Sequence, residues 1–191
     1  MKNKWTDFYN NHGRFYLMPH PKLTKFINLL KKKNSAHVLD LGCGSGRHIV
    51  RLAEEGFQIS GIDYSPSAAQ LAQQWVHQKG LEATIIVGDF DDKIKDFDEN
   101  SFDGILAINT LEYGEENELQ ENLSYICDLL KSQGLVLIVY RSKKSTLKYP
   151  DVPIQILDKD PFKASIEQFF SIIDFEQDNN ENFVALAEKK N

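Results

Sequence analysis

The sequence predicts an α/β protein with a doubly wound, seven-stranded and mostly parallel sheet that ends in a C-terminal antiparallel hairpin. From residue 36 onward, short apolar runs alternate with segments in which apolar residues recur at helical spacing. Most of these runs are apolar on both faces, which is typical of parallel strands covered by helices. The turn-rich sequence DNNEN, residues 178–182, separates the last two runs and favours a hairpin there.

The alternation places each element in order along the chain. Strands are predicted at 37–41, 57–63, 83–89, 102–109, 135–140, 171–178 and 183–189. Helices are predicted from apolar stripes that precede the first strand, follow each of the first two strands, precede the fifth strand and precede the sixth. The helix after the second strand has the clearest start, because Ser65 precedes Pro66 and proline suits the first turn of a helix.

Length and composition favour one folded domain over residues 1–191, with an N-terminal flap at 1–21 and a core at 22–191. The chain has 191 residues, of which 41% are hydrophobic and 26% are charged, and this excludes general disorder. The formal net charge of -6 gives no general attraction to phosphate backbones, so a nucleic-acid partner is disfavoured.

The cysteines and the lack of long apolar stretches indicate in which cellular compartment the protein resides. The two cysteines, Cys43 and Cys127, have neither the number nor the spacing of a disulfide scaffold or a metal site, so no metal is predicted. The first residues lack the apolar core of a signal peptide, and no apolar stretch approaches the roughly 18 residues of a membrane span. We therefore expect a cytoplasmic protein with no membrane partner. The sequence leaves its oligomeric state open.

The most informative stretch is VLDLGCGSGRH, residues 38–48, which follows the first strand. In a doubly wound sheet, ligands bind beyond the carboxyl ends of the strands, and glycines there let the backbone approach the ligand closely. Gly42, Gly44 and Gly46 give the spacing G-x-G-x-G, whereas a dinucleotide loop has G-x-G-x-x-G. The spacing therefore argues against NAD.

With its neighbours, this stretch resembles the first motif of the class I S-adenosylmethionine-dependent methyltransferases, in particular their small single-domain members. The resemblance extends over about residues 19–140, through GIDYSP at 61–66, GDF at 88–90 and FDGILAINTLEYG at 102–114. It implies S-adenosylmethionine (SAM) as the cofactor. It also implies a set of cofactor-binding residues, namely Asp40, Gly42, Cys43, Gly44, Gly46, Asp63, Tyr64, Asp89, Phe90 and Asn109.

Within that set, the residues at the ends of the second and third strands have distinct implied roles. A carboxylate such as Asp63 can accept hydrogen bonds from both hydroxyls of a ribose, and Tyr64 packs against adenine in the family. The Asp89 carboxylate can accept from the adenine amino group, while the Phe90 backbone amide donates to a ring nitrogen. Cys43 is interpreted as a packing residue of the loop.

The acceptor side is less well defined by the sequence. The resemblance places the residues after the fourth strand near the transferred methyl group, which makes Glu112 and Tyr113 catalytic candidates, although side chains here could instead cap the next helix. The segment before residue 22 should pass over the cofactor. We expect Arg14 there to bind the methionine carboxylate, and His12 or Tyr16 to contact the acceptor.

Three functions remain open at this stage. The first is methyl transfer to a small molecule, because a chain of this length adds little to the core fold. The second is methylation of a protein or RNA through the basic stretch RSKKSTLK at 141–148, and the third is SAM binding without catalysis. The sequence NTLE stands where enzymes that methylate exocyclic or amide nitrogens carry an Asn/Asp-Pro-Pro-Tyr/Phe tetrad, and no Pro-Cys nucleophile is present, so those two classes are disfavoured.

Overall fold

The computed structural model describes residues 2–113, 118–147 and 152–190 of the chain. Seven strands form one sheet in the order β3-β2-β1-β4-β5-β7-β6, with parallel pairs except around β7. This is the predicted fold class. The chain divides into two compact units, residues 1–96 and 97–191, and the assignment of one domain with a flap at 1–21 stays a prediction.

Unit 1 holds the first three strands and five helices. The strands are β1 (His37–Leu41), β2 (Gln58–Asp63) and β3 (Thr84–Val87), and the helices are α1 (Lys2–His12), α2 (Leu23–Lys32), α3 (Arg47–Glu54), α4 (Pro66–Gln78) and α5 (Phe90–Lys93). The strands run parallel, with Val38 opposite Ile59 and Ile62 opposite Ile86. Their carboxyl ends therefore lie at one edge of the unit 1 sheet.

The start of α4 forms as the Ser65-Pro66 pair predicts. Ser65 is extended, its side chain accepts a hydrogen bond from the backbone N–H of Ala68 at 3.2 Å, and Pro66 occupies the first turn. The cap fixes the direction of the chain as it leaves β2.

Helix α1 is an element that the sequence analysis assigns only to an N-terminal flap. Its signal is the spacing i, i+3, i+4 of Trp5, Phe8 and Tyr9, whose rings contact one another with centroids 5.6–5.9 Å apart. Helix α1 packs on α4.

Unit 2 holds β4 (Phe102–Ile108), α6 (Glu118–Leu129), β5 (Leu130–Tyr140), α7 (Lys159–Phe169), β6 (Phe170–Gln177) and β7 (Phe183–Lys189). Strand β5 begins five residues before the predicted run at 135–140, and the β4–β5 register is irregular until Leu135 pairs with Gly104. Residues 135–140 are completely buried, so the predicted run is the part that forms the core.

The C-terminal hairpin forms where DNNEN predicts it. The Asp178 carboxylate accepts hydrogen bonds from the backbone N–H groups of Asn180 and Asn182, at 2.9 and 2.8 Å, and from the Asn182 side chain. This local network closes the turn between β6 and β7, as is usual for Asp and Asn in turns.

Candidate functional site

The carboxylate of Asp63 is the best-defined feature at the strand edge of unit 1. It ends β2, is 8% exposed, and accepts backbone N–H bonds from Gly44 at 2.8 Å and Ser65 at 2.9 Å, one on each oxygen. Burial raises its pKa to about 6, while these two hydrogen bonds act in the opposite direction. Each oxygen keeps a lone pair, so the carboxylate can still accept two further hydrogen bonds.

The glycine loop is shaped by backbone conformations that L side chains rarely adopt. Gly42, Gly44 and Gly46 have φ values of 65°, 55° and 91°. The space beside two of them is used by the protein itself: a Cβ on Gly44 would lie 2.6 Å from the Tyr9 hydroxyl oxygen, and one on Gly46 would lie 2.9 Å from Cβ of Ala72. The sequence attributes these glycines to the approach of a ligand, and the structure adds two protein neighbours that require them.

Asp40 and His48 form a buried neutral pair behind this loop. His48 Nε2 accepts the backbone N–H of His20 at 3.3 Å, so the ring proton lies on Nδ1, which is 3.8 Å from Asp40 Oδ2. That distance is too long for a hydrogen bond. Burial raises the pKa of Asp40 to about 8 and lowers that of His48 well below its usual value, so at pH 7 His48 is neutral and Asp40 is mostly protonated.

The residues of unit 1 fit an adenosyl cofactor. Asp40 Oδ2 is buried without a hydrogen-bond partner among the described residues, and the Asp63 carboxylate retains acceptor capacity at the strand edge. Half-buried Tyr64 follows Asp63, while half-buried Asp89 and Phe90 follow β3 at the start of α5. Cys43 is buried, with Sγ 3.0 Å from the position of a Cβ on Gly61, as expected for a packing residue.

Two of the three flap candidates, Arg14 and His12, have contacts away from the glycine loop, whereas Tyr16 contacts the residue that follows Gly46. Arg14 donates to the Gln78 side chain at 2.6 Å and lies over the Trp75 ring, and His12 Nδ1 lies 2.9 Å from the Phe8 carbonyl. Tyr16 is exposed, with the Arg47 guanidinium over its ring. The contacts of Arg14 and His12 do not point to the roles predicted for them, and the contact of Tyr16 with Arg47 leaves its role open. All three roles stay predictions.

In unit 2, Glu112 is a completely buried carboxyl group in a short 3-10 turn after β4. Neither of its carboxyl oxygens has a hydrogen-bond partner within residues 2–113, 118–147 and 152–190. Burial raises the pKa of Glu112 to about 8, and the positive charge of Arg141 acts against that shift. Glu112 is therefore mostly protonated at pH 7.

Hydrogen bonds connect the backbone of Glu112 to the segment that begins at residue 152. The backbone N–H of Gln155 donates to the Glu112 carbonyl at 2.7 Å, and the Tyr140 hydroxyl donates to the Gln155 carbonyl at 3.0 Å. Half-buried Asn109 has a φ of 55°, and half-buried Tyr113 ends the turn. Gly114 and Lys148, which end two of the predicted motifs, lie outside the described residues.

The buried carboxyl group of Glu112 gives a testable pH dependence of stability. Its pKa in the folded state, about 8, lies above the value of 4.5 of an ordinary glutamate. Between these values the folded state binds more protons, so the free energy of unfolding falls as pH rises. Glu112→Gln removes that dependence. We expect the melting temperature of Glu112→Gln, relative to the parent, to rise between pH 5 and pH 8 and to level off above. The control is Glu121→Gln, at an exposed position. An equal pH profile of the melting temperature in both variants would show that the pKa of Glu112 is not raised by burial.

An open pocket of about 380 Å³ in unit 2 contains part of the basic stretch rather than the predicted catalytic residues. It is lined by residues 142–144, 157–161, 177 and 183. Lys143 in its wall forms an ion pair with Asp158 at 3.0 Å. No group of three or more metal-ligating side chains, and no helix long and apolar enough to cross a membrane, occurs in the described part of the chain.

Comparison with known proteins decides the family. A model of the methyltransferase domain matches residues 38–134, from the glycine loop to the start of β5. The chain belongs to the methyltransferase domain family. The resemblance to class I SAM-dependent methyltransferases is confirmed, and with it SAM as the family's cofactor.

Two relatives show how far the likeness extends. The protein YqeM of Bacillus subtilis, whose name assigns it only provisionally to the methyltransferases, is 30% identical over 145 residues, which is 74% of this chain and 57% of YqeM. EEF1A lysine methyltransferase 2 of Homo sapiens is 33% identical over 135 residues, covering 61% of this chain and 52% of that protein. The methyltransferase-family chain therefore spans only about half the length of these relatives.

A solved structure confirms the fold. The SAM-dependent methyltransferase structure from Methanosarcina mazei superposes with a TM-score of 0.72 at 18% identity, over 90% of this chain and 98% of that one. At this identity the likeness supports the architecture alone.

Proposed function

We propose that this methyltransferase-family protein transfers a methyl group from SAM to a small-molecule acceptor by direct in-line displacement. The observation that carries the proposal is the Asp63 carboxylate, held at the end of β2 by two backbone N–H bonds with acceptor capacity to spare. It stands in a chain whose family and glycine spacing both point to an adenosyl ligand.

In this proposal, the residues on the cofactor side of the site bind SAM and orient it. When bound, SAM supplies a methyl group that its sulfonium has already activated, so the protein mainly aligns the acceptor and excludes water. In this proposal Asp63 accepts from the ribose hydroxyls. Asp89 and the Phe90 amide bind the adenine edge, and the glycine loop brings its backbone to the ligand.

Glu112 is the proposed general base, which takes a proton from the methyl acceptor. Transfer forms a bond from the acceptor to the methyl carbon and breaks the carbon–sulfur bond, whose electrons stay on sulfur; a hydroxyl or ammonium acceptor must also lose a proton. Glu112 is completely buried, and a pKa of about 8 leaves part of it ionised near neutral pH. A base with a pKa near the working pH is well suited to accept that proton.

A small acceptor is favoured over a macromolecule by charge. The net charge of -6 gives no general attraction to nucleic acid. Within the basic stretch, Lys143 pairs with Asp158, and Arg141 donates to the Leu147 carbonyl at 3.3 Å. Each of these cations therefore already has a partner within the protein, which it would have to give up to bind a phosphate. Methylation of a protein or RNA remains the second candidate, because the relatives include one named for a lysine acceptor and one named for a tRNA acceptor. A cytoplasmic location stays a prediction.

The test is release of S-adenosylhomocysteine (SAH) from SAM across a panel of small thiol, amine, hydroxyl, carboxylate and metalloid acceptors, with protein and RNA acceptors assayed beside them. We expect turnover with at least one small acceptor, and we expect Lys143→Ala to leave it unchanged. Turnover only with a protein or RNA, lost in Lys143→Ala, would replace the small-molecule assignment. Tight SAM binding with no turnover on any acceptor would indicate a non-catalytic binding protein.

A further inference from the structure

One face of α1 lies on the glycine loop and on the start of α4, which follows Asp63 and Tyr64. Thr6 Oγ1 donates to Ser65 Oγ at 3.3 Å, just after Asp63, and Asn10 Oδ1 accepts from Ser67 Oγ at 2.7 Å. Between these two contacts, the Tyr9 hydroxyl oxygen lies 2.6 Å from the position of a Cβ on Gly44. Residues 6, 9 and 10 share one side of a helix, so α1 docks through a single polar face.

The Tyr9 ring is held so that its hydroxyl meets the glycine loop. It stacks on Trp5 with centroids 5.9 Å apart and meets the edge of Phe8 at 5.8 Å. The backbone N–H of Gly44, the residue that the hydroxyl approaches, donates to the Asp63 carboxylate. The Tyr9 hydroxyl and the proposed ribose-binding carboxylate therefore converge on the same glycine.

We propose that Tyr9 is a further cofactor-binding residue, whose hydroxyl hydrogen-bonds the adenosyl ligand at the glycine loop while α1 covers that ligand. This inference rests on the proposed function. A phenol both donates and accepts hydrogen bonds, and the segment's other polar candidates, Arg14 and His12, make their described contacts elsewhere. The absence of a side chain at Gly44 is what admits the phenol.

A double-mutant cycle tests the docking of Tyr9 without any ligand. Gly44→Ala strains a backbone with φ of 55° in either background, but only in the parent does the new methyl group meet an oxygen at 2.6 Å, since the ring carbon lies at an ordinary 3.6 Å. Chemical unfolding should therefore show a larger loss for Gly44→Ala in the parent than in Tyr9→Phe. Equal losses would show that the contact is absent in solution and would overturn the inference.

Calorimetric titration with SAH tests the binding role, because it needs no acceptor. We expect Tyr9→Phe to bind SAH roughly 3- to 10-fold more weakly, as for loss of one hydrogen bond. The control is Tyr125→Phe, on the outer side of α6 and 38% exposed, which should bind as the parent does. Unchanged affinity in Tyr9→Phe would overturn the inference, and tighter binding would show that α1 competes with the ligand. If the parent itself bound no adenosyl ligand, the proposed function would fail first.

Discussion

Replacing Asp63 by alanine is expected to weaken binding of SAM and SAH by roughly 10- to 150-fold. The estimate corresponds to about 1.5–3 kcal/mol for hydrogen bonds to a charged group. The sequence places Asp63 at a strand end, where folding should tolerate the change. The structure adds a cost, because the N–H groups of Gly44 and Ser65 lose their buried acceptor, at about 1–3 kcal/mol for each unsatisfied group.

Affinity and stability must therefore be measured separately for Asp63→Ala. Titration calorimetry well below the melting temperature gives the affinity of the folded protein, and chemical unfolding gives the stability. Asp103→Ala is the matched control, since Asp103 lies near the start of β4 and pairs with Lys131 at 3.1 Å. Binding of SAH by Asp63→Ala with the affinity of the parent would refute the ribose assignment.

Gly46→Ala should destabilise the fold far more than the same change at Gly56. The two glycines have nearly equal φ values, 91° and 87°, so an alanine at either position meets the same unfavourable positive φ. At Gly56 the added Cβ meets nothing within 4 Å, whereas at Gly46 it meets Cβ and Cα of Ala72 at 2.9 and 3.0 Å. We expect about 1–2 kcal/mol at Gly56 from the left-handed backbone alone.

At Gly46 the crowding against α4 adds about 1–3 kcal/mol to that strain. Denaturant unfolding of the two single variants measures the difference directly, since the strain common to both cancels. Similar losses at the two positions would mean that α3 and α4 separate easily, and that the tight approach at Ala72 is not part of the folded protein in solution.

Much of the fold can be predicted because its signals are local. The apolar runs of β1 and β2, the Ser65-Pro66 start of α4 and the Asp178 turn depend on neighbouring residues, and each forms as its pattern indicates. Helix α1 is assigned only as a flap, because its apolar stripe is short and lies in an otherwise polar segment.

The candidate site is predictable where chain topology places it. Asp63 ends β2 and Asp89 follows the end of the neighbouring parallel strand β3, so their shared edge follows from strand order alone. Side-chain partners distant in sequence do not follow from that order. Examples are the approach of Tyr9 to Gly44, that of Ala72 to Gly46, and the contact of Arg14 with α4. Only the folded structure reveals them.

The most direct test of the central claim is calorimetric titration of the unmodified chain with SAH and, separately, with NAD. The G-x-G-x-G loop and the Asp63 carboxylate are proposed to hold one adenosine that carries an amino-acid chain, without a pyrophosphate. We therefore predict saturable one-to-one binding of SAH and much weaker or undetectable binding of NAD. Tighter binding of NAD than of SAH would contradict the account.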